Sequence, residues 1–158
     1  MKIIPRRMEL YLVPVKKFRN TFFLVLIINS VITGITFFLF KHNIQLIPGY
    51  RAGTNLTNPL LIFIVLVAVI HALQQRKHLM RVCSIPDFER RLVQYEKFYR
   101  KRMTWYIFSV ITSALLCLLS QRDIFLYYCG ADVLLSLPFY PSAFLLKREL
   151  RTNDIVLY

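Results

Sequence analysis

Four long apolar runs alternate with short polar stretches along the chain, at residues 20–40, 59–75, 103–121 and 124–146. An α-helix needs about 20 residues to cross ~30 Å of hydrocarbon. The first and fourth runs meet that length outright and the third comes close. The second is strictly apolar only as far as Leu73, and is completed by Gln74 and Gln75, polar but uncharged residues suited to an interface. Asp132, Pro138 and Pro141 interrupt the fourth run. Each proline removes a backbone hydrogen bond that hydrocarbon does not replace. A bend or break is therefore expected there, with Ser136, Ser142 or a neighbouring helix supplying partners.

Charge gives these runs an orientation. The chain holds 21 Lys and Arg against 8 Asp and Glu, although 56% of its residues are hydrophobic. Lys2, Arg6, Arg7, Lys16, Lys17 and Arg19 precede the first run, and only Lys41 and Arg51 lie between the first and second. Nine bases, from Arg76 to Arg102, separate the second from the third. Arg122 alone stands between the third and fourth, and Lys147, Arg148 and Arg151 follow the last. Basic residues collect on the cytoplasmic side of a membrane protein. The expected fold is thus all-α: a polytopic membrane protein, a four-helix transmembrane bundle with both termini cytoplasmic. It forms one domain over 1–158, in a plasma or bacterial inner membrane. A cleaved leader is the rival reading of the first run, but 21 apolar residues exceed a typical leader core and no A-x-A-like site follows.

The connection 76–102 carries most of the local signal. Neither Gly nor Pro occurs from Leu60 to Ile85, so the second helix is expected to run on to about Cys83. Ser84, Pro86 and Asp87 then read as a helix start, with Ser84 as the cap. Asp87 to Arg122 again lacks both breakers, which predicts a basic cytoplasmic helical hairpin continuous with spans two and three. Phe88, Leu92, Tyr95 and Tyr99 fall on one face of its second arm. Two readings fit: a docking face for a partner, or an extension that packs on the end of the second helix. Asp87–Arg91 and Glu96–Arg100 have i, i+4 spacing. Arg90, Arg91, Lys97, Arg100, Lys101 and Arg102 are expected to face anionic lipid headgroups. The stretch 1–18, basic and apolar with Pro5 and Pro14, is expected to lie flat on the same leaflet.

Ionisable groups inside a span are costly and usually functional. Asp132 is the only acid within an apolar run, about 13 Å in from Asp123 at 1.5 Å per residue. The same rise puts Asn29, His71, Thr112 and Ser113 within a few ångströms of the midplane. This polar layer fits interhelical hydrogen bonding, at ~0.6 kcal/mol per contact, or a proton or ion path with Asp132 as the titrating group. Cys117 and Cys129 fall at similar depth, and packing is preferred to a bridge; Cys83 is expected to be a reduced thiol. No phosphate loop, dinucleotide fingerprint, zinc helix or nucleophile elbow is present, and no Cys/His spacing suits a metal. No cofactor and no nucleic acid are expected, since topology already accounts for the bases. The remaining classes are an accessory or assembly subunit that binds a membrane or cytoplasmic protein or its own copy, a small oligomeric transporter or channel, and a membrane-embedded enzyme.

Overall fold

The computed structural model describes residues 11–152 and 155–157. Five α-helices make up almost all of it: α1 (Val15–Lys41), α2 (Thr54–Cys83), α3 (Phe88–Ser120), α4 (Asp123–Ser136) and α5 (Ala143–Leu150). A 3₁₀ turn, Leu137–Phe139, extends α4. Three helices, α1 to α3, are long and apolar enough to cross a membrane, and a fourth span exists if the bent pair α4–α5 counts as one. The molecule therefore has the make-up of a helical membrane protein.

The breaker-free stretches become continuous rods as expected. α2 ends at Cys83 and α3 runs for 33 residues without interruption. The cap differs from the sequence expectation. Asp87, not Ser84, sits at the N-cap of α3 and accepts from the Glu89 amide, while Ser84 closes α2 by donating to the Arg81 carbonyl. Pro86 has no N–H to offer a Ser84 cap, and the helix starts two residues after it, at Phe88. Asp87 pairs with Arg90 at 3.4 Å, not with Arg91. Arg91 instead donates to the carbonyls of Ile85, Pro86 and Leu150.

The proline break in the fourth run is sharper than a kink. α4 and its 3₁₀ turn together span 14 and 3 residues, ~25 Å of rise. The chain then turns through 78° into α5. Tyr140, before Pro141, takes the extended conformation that a following proline imposes (φ −53°, ψ 127°). Ser142 caps α5 by accepting from the Leu145 amide, and Tyr99 of α3 donates to the freed Phe139 carbonyl. Residues 124–146 are thus not a single upright span.

α5 folds back beneath the bundle, where its Leu145, Leu146 and Leu150 are buried. The chain past it forms a strand, β2 (Ile155–Leu157), parallel to β1 (Tyr11–Val13), with Leu12 opposite Val156. This pair is the only β structure among the described residues. Val13, Val15 and Phe18 enter the main hydrophobic cluster with Tyr95, Tyr99, Met103, Leu146 and Leu150. The described part of the N-terminal stretch is therefore packed into the protein, not laid flat on a leaflet; residues 1–10 lie outside the described residues. At the far end, Gln121 adopts a left-handed conformation (φ 50°) that reverses the chain between α3 and α4. Its amide donates to the Ile44 carbonyl, and Arg122 donates to that of Ala52, tying the α1–α2 loop to this turn.

Adjacent strands lie about 4.8 Å apart, so the two chain ends are chemically addressable as a pair. In a background lacking the three native cysteines, Leu12→Cys with Val156→Cys should cross-link efficiently with a short bismaleimide in intact membranes. Failure, while a control pair across the α3–α4 turn reacts, would show that the ends do not meet.

Candidate functional site

The site is built on one buried ion pair. Arg102 of α3 and Glu149 of α5 are 4% and 6% exposed, and meet through two parallel contacts of 2.9 and 3.0 Å. The Tyr95 hydroxyl donates to the same carboxylate at 2.6 Å. Burial first, and then the charge of Glu149, hold the Tyr95 phenol far above its usual range, so it stays a donor. The Arg102 guanidinium lies over the Phe139 ring at 4.3 Å, with Phe98 and Tyr99 at 5.0 and 5.4 Å. The Cys83 thiol of α2 donates to the Glu149 backbone carbonyl at 2.8 Å. Three helices are therefore fastened at Glu149.

Sequence reasoning missed this residue, because an acid among Lys147, Arg148 and Arg151 reads as part of a solvated tail. The available signal was spacing: Leu145, Leu146, Glu149 and Leu150 share one helical face, which puts an acid on an apolar stripe. Two expectations are corrected with it. Arg102 does not face lipid, being inside the ion pair, and Arg91 is half-buried and bonded to its own chain's carbonyls. Arg90, Lys97, Arg100 and Lys101 are exposed. The docking face is corrected as well. Phe88, Tyr95 and Tyr99 are buried and Leu92 packs beside them, covered by the chain itself. Phe18 of α1 contacts Tyr95 and Tyr99 at 5.7 and 5.3 Å between ring centres. The cover comes from α1 and α5 together with Val82 and Leu79 at the end of α2.

Above the ion pair, a cleft of about 510 Å³ opens between α2 on one side and α3 and α4 on the other. Asp132 and Ser109 face into it, joined by a 2.7 Å bond in which the serine hydroxyl donates to the carboxylate. Across from them on α2, Gln75 donates to His71 at 2.6 Å, which makes that ring nitrogen an acceptor. The His71 ring stacks on Trp105 with 3.7 Å between centres and 12° between planes. Ala68, Ala72, Leu79, Leu135 and Pro138 give apolar walls, and Arg102 and Glu149 form the inner end. Outward of Asp132 the α3–α4 seam is tight: Val110, Ala114, Cys117, Phe125 and Cys129 are all buried.

The five residues of the expected polar layer therefore separate. Asp132 and His71 come together in the cleft. Thr112 spends its hydroxyl on the Phe108 carbonyl of its own helix, and Ser113 is buried. Asn29 is completely buried on α1, with neither its carbonyl oxygen nor its amide nitrogen bonded among the described residues. Cys117 and Cys129 are free thiols, and Cys129 points at the Val110 carbonyl. Among the described residues, no group of three or more His, Cys, Asp or Glu is placed to hold a metal. No family model, characterised protein or solved structure matches this chain.

Two stability outcomes follow from these contacts. Glu149→Ala should destabilise the detergent-solubilised protein by about 3–5 kcal/mol, because it strands a buried guanidinium. The double change Arg102→Met with Glu149→Leu should recover most of that loss in thermal unfolding. Equal melting of wild type and the single variant would remove the ion pair's structural role. Separately, Asn29→Leu should be neutral or stabilising by ~1 kcal/mol, since it deletes an unsatisfied amide while keeping the same heavy-atom branching. A clear drop in melting temperature would mean that Asn29 has a partner in the native membrane.

Proposed function

We propose that this chain is a four-span membrane protein with both termini in the cytoplasm, acting as an accessory subunit that holds an amphiphilic ligand in the cleft between α2, α3 and α4. The single observation behind this reading is the Asp132–Ser109 pair, which opens on a mostly apolar hollow of ligand-binding size. A carboxyl at membrane depth is expensive against lipid chains alone. A polar ligand group or water at that point offsets the cost. Parallel pairing of β1 with β2 supports an even number of crossings, because it brings the segments before α1 and after α5 to one side. The distribution of bases favours that side as the cytoplasm.

The carboxylate selects a ligand with a hydrogen-bond donor or a cation at its head, and the apolar walls select a chain behind it. A second reading, a proton or ion path in an oligomer, draws on the same Asp132 and on His71 opposite. The packed seam outward of Asp132 weighs against it, since a path must continue to the other side.

Trp105 is the chain's single tryptophan and lies in the cleft, so its fluorescence reports occupancy. In lipid nanodiscs, dodecylamine should shift Trp105 emission saturably and lauric acid should not. Asp132→Asn should weaken the amine response about tenfold, as expected for losing a hydrogen bond to a charged group. Equal response to both amphiphiles, or an unchanged variant, would remove the ligand reading. An Asp132-dependent proton leak in liposomes would put the transport reading in its place.

A further inference from the structure

A second hollow lies on the opposite side of the α2–α3 seam from the cleft. It is a groove of about 250 Å³ at the basic end of the bundle. His71 and Gln75, which also line the cleft, border it on α2; beyond them Gln74, Lys77, His78 and Arg81 face Phe98 and Lys101 of α3. Gln74, Lys77, His78 and Arg81 recur at intervals of three, one and three, so they share one helical face. His78 lies flat against Phe98, with 5.4 Å between ring centres and 19° between planes, which sets the floor. Arg102 also borders the groove, but its charge is already matched by Glu149. Lys77, Arg81 and Lys101 are exposed, and none has a carboxylate partner among the described residues. No acid lines the groove. Three unpaired cations thus converge on a recess that holds an amide donor.

Continuing the same α2 face toward mid-helix gives Ile70, Val67 and Phe63; on α3, Phe108 stands two turns from Lys101. Phe63, Ile70 and Phe108 are all largely exposed apolar side chains. One surface stripe therefore passes from apolar side chains, through an amide, to three cations. This order matches the chain, the glycerol region and the phosphate of a phospholipid. Basic pockets between membrane helices on the cytoplasmic side are suited to such headgroups.

We infer that the Lys77–Arg81–Lys101 groove binds the phosphate of an anionic phospholipid from the leaflet at the basic end, with the acyl chains along Phe63, Ile70 and Phe108. The site adjoins the Asp132 cleft across His71, Gln75, Phe98 and Arg102, but its three cations Lys77, Arg81 and Lys101 do not line that cleft. It rests on the membrane reading above, though not on the cleft ligand or on which side is cytoplasmic.

The test is lipid retention by the full chain in neutral detergent micelles, read by native mass spectrometry. Phosphatidylglycerol should remain bound where phosphatidylcholine is lost, and the triple variant Lys77→Gln, Arg81→Gln, Lys101→Gln should lower retention at least tenfold, at about fivefold per base near a membrane surface. A charge-matched control, Arg90→Gln, Lys97→Gln, Arg100→Gln, should retain the lipid, and so should Lys77→Arg with Lys101→Arg. Circular dichroism checks that each variant is folded. Equal loss in the groove and control variants would reduce the effect to net charge and overturn the site. Equal retention of phosphatidylcholine would overturn the role of anionic charge. If glycerol 3-phosphate or inorganic phosphate displaces the lipid completely at comparable concentration, the groove is a soluble phosphate site and the lipid assignment fails. Because micelles have no sides, a wrong orientation leaves these results unchanged, and a failed groove leaves the orientation standing.

Discussion

The fold depends on a carboxylate that has left water. Removing Glu149 and Arg102 from solvent costs several kcal/mol per ion in general. It is offset here because both oxygens are bonded, a tyrosine hydroxyl adds a third contact, and aromatic faces surround the guanidinium. Such a pair tolerates little displacement. It fixes how far α5 swings back after the proline turn, where the chain emerges beyond it, and so where β2 meets β1. The inner wall of the Asp132 cleft is made of the same two side chains.

The placement of the hydrophobic core has a physical reason. Its main cluster is gathered where the start of α1, the first half of α3 and α5 converge, not at mid-span. Between membrane helices the surrounding lipid is as apolar as a leucine, so burial there gains little. At the basic end, segments exposed to water gain from burying Phe18, Tyr95, Tyr99 and Leu146. α2 shows the opposite limit: only Thr57 and Val82 are buried along its 30 residues. That sparse packing leaves room for the cleft on one flank and the groove on the other.

Much of this was legible in the sequence, for reasons that can be named. Absence of Gly and Pro made the far end of α2 and the whole of α3 legible, because no competing backbone conformation was on offer; the start of α2 was not, since the helix begins at Thr54 and carries Pro59 inside it. Pro138 and Pro141 announced the turn because their chemistry is local. The role of Phe88, Tyr95 and Tyr99 was not legible, since amphipathicity says that a face is covered and not by what. Glu149 was missed for a related reason: its partner lies 47 positions away, beyond any spacing rule. The polar layer failed because depth along a helix says nothing of direction around it. Asn29 and Asp132 count to similar depths at ~1.5 Å per residue, yet one is sealed on α1 and the other opens into the cleft.

The pairing of β1 with β2 also orders events in the making of the molecule. β1 is synthesised first and its partner only after every helix has emerged. Through that interval Leu12 and Val13 present an unmatched strand edge, and the region that α5 will cover stays bare. Membrane insertion of the helices can be complete before the latch exists. Closure then waits on the segment after α5 reaching the edge that β1 presents.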